Sequence, residues 1–147
     1  MGSEVQSMKK LSYDERDYAA RLAEYIADET YTQALYMALS KRCTGNMASL
    51  LRSISADEGR HLREMQMEYY LLTGDSLCPP KRDTDGAVCE LLRMAYAGEG
   101  KAAEGYADEA EMHSDGALRK KFSAISADET RHRAMIRKML SSALGMG

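Results

Sequence analysis

Residues 54–61 read ISADEGRH and residues 125–132 read ISADETRH. Seven of the eight positions agree at an offset of 71, which chance rarely produces in one short chain, so the two segments are related by duplication. Each copy contains Glu-x-x-His, Glu58 with His61 and Glu129 with His132. Residues at i and i+3 share one helical face about a turn apart, so a carboxylate and an imidazole at that spacing can bind the same ion.

Working outward, Phe122, Ile125, Glu129, His132, Ile136 and Met139 repeat at three- and four-residue steps, the stripe of a core-facing helix. Ile54, Glu58, His61, Met65 and Leu72 form a compatible stripe, so both Glu-x-x-His pairs point inward. At an offset of 70 a fainter repeat relates the segments that precede them. Leu22 falls on Leu92, Glu29 on Glu99 and Tyr36 on Tyr106, seven residues apart each time. These stripes each place one glutamate inward, with Glu24 the rival for Glu29 and with Glu90 and Glu104 the rivals for Glu99.

The remainder of the chain supports an all-α reading. Both prolines sit together at 79 and 80, and helix formers fill the long segments. Helices are expected over about 12–41, 47–72, 84–112 and 117–142, within a single domain spanning 1–147. Thr44-Gly45-Asn46 and Ser114-Asp115-Gly116 make short turns, giving two antiparallel helical hairpins. Between them GDSLCPPKR leads to about Asp83, a crossover linker that can reach roughly 35 Å against a helix of roughly 39 Å. A domain-swapped dimer would relieve the strain.

Composition excludes several classes. With 44% hydrophobic and 29% charged residues the chain is an ordinary globular protein. A net charge of -3 without a segregated basic run argues against nucleic-acid binding. No apolar stretch approaches a bilayer span, and the start MGSEVQSMKK lacks a signal-peptide core, so no membrane association and a cytoplasmic location are expected. Cys43, Cys78 and Cys89 form no Cys-x-x-Cys pair and are expected as free thiols. The eleven methionines form no cluster and are read as core filler. His113, at a helix end, is read as a surface residue.

Four ionised carboxylates in a core would be prohibitive unless protonated or neutralised. Two divalent ions cancel four charges. An oxygen-rich donor set with imidazole and without thiolate favours iron or manganese, with zinc an available substitute. A single Glu-x-x-His in a charged helix is ordinarily a solvated pair; two copies on inward stripes, each with a matching glutamate, favour a two-metal site.

One Glu from each of two helices and Glu-x-x-His from each of the other two is the pattern of the ferritin-like di-iron carboxylate proteins, which this chain resembles over about residues 12–142. Within them it looks most like rubrerythrins and bacterioferritins. The resemblance implies a ferritin-like four-helix bundle, with Glu58 and Glu129 as bridging ligands of two irons, Glu29 and Glu99 as terminal ones, and His61 and His132 completing the set. It also implies that Tyr36 and Tyr106 hydrogen-bond carboxylate ligands. Asp57 and Asp128 could orient the histidines. Unlike rubrerythrins, the chain has no cysteine-ligated rubredoxin tail and carries Ala102 where many have a further Glu. Unlike bacterioferritin it has no fifth helix, since only SSALGMG follows the fourth.

The function this implies is reduction of hydrogen peroxide or dioxygen at a di-iron site, with electrons from an external donor such as a rubredoxin, in a homodimer. The alternatives are a ferroxidase or iron-storage protein, which predicts loading beyond two ions per chain or a large assembly, and a bundle whose metal is only structural.

Overall fold

The computed structural model describes residues 10–145. Among the described residues there are four helices, α1 (Tyr13–Ser40), α2 (Gly45–Thr73), α3 (Val88–Met112) and α4 (Gly116–Ala143), and no strand. No helix among the described residues is long and apolar enough to cross a membrane. The expectations concerning the first nine residues and the last two lie outside the described residues.

Local chemistry sets the helix ends. The Ser12 hydroxyl accepts from Glu15 N at 3.1 Å while Glu15 Oε1 accepts from Ser12 N at 3.1 Å, a reciprocal capping box that starts α1. The Ser12 backbone N–H, and after it the Ser12 side chain, hold the Glu15 carboxyl below its ordinary range. Asp115 starts α4 by accepting from Ala117 N and Leu118 N at 2.8 and 3.1 Å. At the end of α2, Gly74 takes φ +79° and donates to Tyr70 O, a left-handed stop that suits glycine.

The third helix starts four residues later than the sequence pattern suggests. Gly86 sits at φ +142°, outside helical space, and Ala87 is extended, so the helix begins at Val88. The linker therefore covers residues 74–87 and can reach roughly 45 Å, about the length of a 29-residue helix such as α2.

The chain forms two compact units. The first comprises the described residues through Ala38 together with Leu51–Thr84. Its buried side chains include Leu22, Ile26, Tyr36, Leu51, Ile54 and Met65, and Ser55 Oγ donates to Gln33 O at 2.8 Å to tie α1 to α2. The linker is held against both helices, with Arg82 over the Tyr31 ring at 4.0 Å and 3.9 Å from Asp28, and with Gln66 Nε2 donating to Leu77 O at 3.5 Å.

The second unit comprises Leu39–Leu50 and Asp85 onward, and in it α3 packs along α4. Leu91, Leu92, Tyr106, Phe122, Ile125 and Ile136 are buried there. Ser126 Oγ donates to Ala103 O at 2.7 Å, the same bond as Ser55 to Gln33 one repeat later. The single mismatch in the repeated octapeptide falls where the facing residues also differ. A Cβ on Gly59 would lie 2.5 Å from Gln33 Nε2, whereas Thr130 belongs to the hairpin that has Ala103 in place of glutamine.

Candidate metal centre

In the first unit α1 supplies Glu29 and α2 supplies Glu58 and His61; in the second α3 supplies Glu99 and α4 supplies Glu129 and His132. All six are at most 3% exposed. The rivals Glu24, Glu90 and Glu104 are exposed, and Glu90 is paired with Arg93 at 2.6 Å. Periodicity is the reason. Glu29 and Glu99 continue the apolar stripes that run through Leu22 and Leu92, while the other acids fall on the outer faces.

His61 Nδ1 stands 3.8 Å from Glu29 Oε1 and 3.6 Å from Glu58 Oε1. His132 Nδ1 stands 3.7 Å from Glu99 Oε1 and 3.3 Å from Glu129 Oε1. Within each unit one ligand atom from each of the three residues lies within 4.8 Å of the others. Three of these four gaps exceed hydrogen-bonding length. They match the separation of two donors that share one ion at 2.0–2.2 Å each, roughly 2.8–3.8 Å for the usual coordination angles. Two carboxylates and an imidazole converging at that spacing in a dry interior form a donor set that fits a divalent cation. A cation also supplies the charge balance that such burial demands.

Tyr36 and Tyr106 are both buried, and the Tyr106 ring stacks on Phe122 with centroids 6.3 Å apart. Asp57 accepts from Arg60 at 3.1 Å and Asp128 from Arg131 at 3.0 Å, so the repeat reproduces an i,i+3 ion pair beside each histidine.

Two features escaped the sequence reading. Thr32 Oγ1 lies 2.8 Å from Glu58 Oε2, closer than to the carbonyls of Asp28 and Glu29 at 3.1 and 3.4 Å. A hydroxyl has one proton to donate, and the carboxylate is its shortest acceptor. The second unit has Ala102 at the equivalent place, so this donor exists on one side of the duplication only. A three-residue step from Glu29 was the available signal. The second feature is Glu109, fully buried and 2.7 Å from Nε2 of His113, whose ring stacks on Phe122 at 5.5 Å. His113 is thus a half-buried partner of a carboxylate and not a surface residue. Among Asp108, Glu109 and Glu111, only the extension of the Glu99 and Tyr106 stripe singles out Glu109.

Cys43, Cys78 and Cys89 are free. A family model described as a ferritin-like domain matches residues 13–142. No curated protein and no solved structure matches the chain.

Proposed function

Since the chain belongs to the ferritin-like domain family, we propose that its six buried ligand residues together hold two iron ions, and that it reduces hydrogen peroxide or dioxygen with electrons from an external donor. The observation that carries this reading is the paired occurrence of a buried glutamate beside a buried Glu-x-x-His, once in each unit. By the ferritin-like pattern Glu58 and Glu129 would hold the ions together with Glu29, Glu99, His61 and His132. When bound, the iron pair supplies two electrons to the oxidant.

The chain's own residues do the rest. Four glutamates neutralise the charge of two divalent ions, and the two imidazoles complete the donor set in neutral form. Thr32 holds Glu58 Oε2 in one orientation through its hydroxyl. The surrounding apolar side chains, Ile26, Ile54, Leu92 and Ile125 among them, limit water around the ligands and strengthen every electrostatic interaction there. Asp57 and Asp128 steady the helix turns that carry the histidines through their arginine pairs. Electrons come from a separate redox protein, a rubredoxin being the type that relatives of this kind use, and the protein acts as a homodimer in the cytoplasm.

Anaerobic loading with Fe(II), followed by rapid mixing with peroxide or dioxygen, tests the reading. Oxidation of about two irons per chain, faster with peroxide and lost in Glu58→Ala and Glu129→Ala, is expected. Uptake far beyond two ions per chain would replace it with iron storage. Two bound ions with no oxidation by either reagent would leave a structural metal site.

A further inference from the structure

Five glutamates are buried among the described residues: the four proposed ligands and Glu109. Glu109 is 0% exposed, and its Oε2 lies 2.7 Å from Nε2 of His113, whose side chain is 13% exposed at the end of α3. We propose that this pair is the proton conduit between solvent and the buried carboxylate cluster, with Tyr106 the next station inward. The inference rests on the metal-binding reading of Glu99, Glu129 and His132.

The need for such a path follows from chemistry. Loading a divalent ion onto buried glutamates and histidines requires those groups to lose their protons. Reduction of one peroxide to two waters takes up two electrons and two protons. The candidate ligand residues, no more than 3% exposed, offer almost no surface to water for that exchange.

Position then selects the route. Glu99, Tyr106, Glu109 and His113 follow each other along α3 at steps of seven, three and four residues, so they occupy one face of the helix. Tyr106 is buried between the ligand and the pair in sequence and height, about 10 Å above Glu99 and about 4.5 Å below Glu109 at 1.5 Å per residue. Glu109 to His113 is the last step, from a fully buried carboxylate to an imidazole that reaches water.

A purely structural role fits less well. The α3–α4 turn is already fixed by the Asp115 cap and by Arg119 Nη1 donating to His113 O at 3.1 Å. The duplicated hairpin makes its own turn with Leu39 and Cys43 at the equivalent positions, seventy residues earlier. A buried acid and an imidazole are therefore not what this hairpin needs in order to close.

The test uses Zn(II), which binds without redox chemistry. The full-length apoprotein is mixed with Zn(II) in weak buffer, and proton release is followed by a pH indicator in stopped flow. The expected result is that Glu109→Gln and His113→Gln release the same number of protons as the wild type but at least tenfold more slowly, with unchanged helicity. Added imidazole should restore the rate in His113→Gly, a response that a structural lock would not give. Equal release rates in wild type and in either folded variant overturn the conduit while leaving the metal site intact. Failure of the wild type to bind Zn(II) overturns the metal site, and the conduit with it.

Discussion

At the residue scale the decisive fact is that glutamate occurs where leucine would serve the fold better. Glu129 lies on a stripe with Phe122, Ile125, Ile136 and Met139, and removing it from water without a partner cation costs stability. Glu129→Gln is therefore expected to raise the melting temperature of the metal-free protein, by about 2–4 °C for each kcal/mol relieved, and to abolish the rise that metal produces in the wild type. Scanning calorimetry with and without Zn(II) checks both signs. Thr32→Val removes the hydroxyl that donates to Glu58 Oε2. Loss of such a supporting bond lowers metal affinity by roughly 10- to 100-fold, measurable by competition with a chelator of known affinity. Unchanged affinity would mean that the bond leaves Glu58 no better placed than water would. The burial of the six candidate ligand residues was legible because each repeats and each lies on an apolar stripe. Thr32 and Glu109 were not, because a lone threonine on a helix more often bonds a carbonyl of its own turn, and an acid in the run ADEAEMH has no copy in the other hairpin to mark it.

At the element scale the helices end where side chains offer their backbone an alternative. The Ser12–Glu15 box is the sharpest case, and Ser12→Ala is expected to lower the melting temperature by about 2–4 °C at neutral pH. The pH dependence has a definite sign. The Glu15 carboxyl is held below its ordinary range in the folded chain, so its contribution is present above the unfolded-state pKa and is lost as pH falls through the folded one. The difference between wild type and Glu15→Gln, which removes the carboxylate that Ser12 N–H bonds, should shrink in acid, which melting curves from neutral to acidic pH would reveal. The same scale explains where the sequence reading of the elements went astray. Thr84 and Asp85 resemble a helix start, yet Gly86 at φ +142° interrupts it, and a conformation set by one glycine leaves no trace in hydrophobic periodicity. The positions of the hairpin turns, by contrast, were plain from Gly45 and from Asp115-Gly116, since turn chemistry is local.

At the scale of the whole molecule the duplication is the organising fact. It reproduces the serine bond to the facing helix, the Asp–Arg pair and the buried set of two glutamates and one histidine in both units, and it relaxes at Gln33 and Gly59, at Thr32 and at Glu109 and His113, where the hairpins differ. Binding free energy of the metal proposed for these residues would also be folding free energy. At an ion concentration a thousandfold above the dissociation constant the gain is about 4 kcal/mol, so chelation should lower the melting temperature by roughly 10 °C. The most direct test of the central claim is the number of ions bound per chain. In an anaerobic Fe(II) titration the wild type should saturate at about two ions per chain, and binding should be lost when Glu58 and Glu129 are both changed to alanine. Saturation at zero, or binding of two ions that persists in the double variant, would contradict that claim.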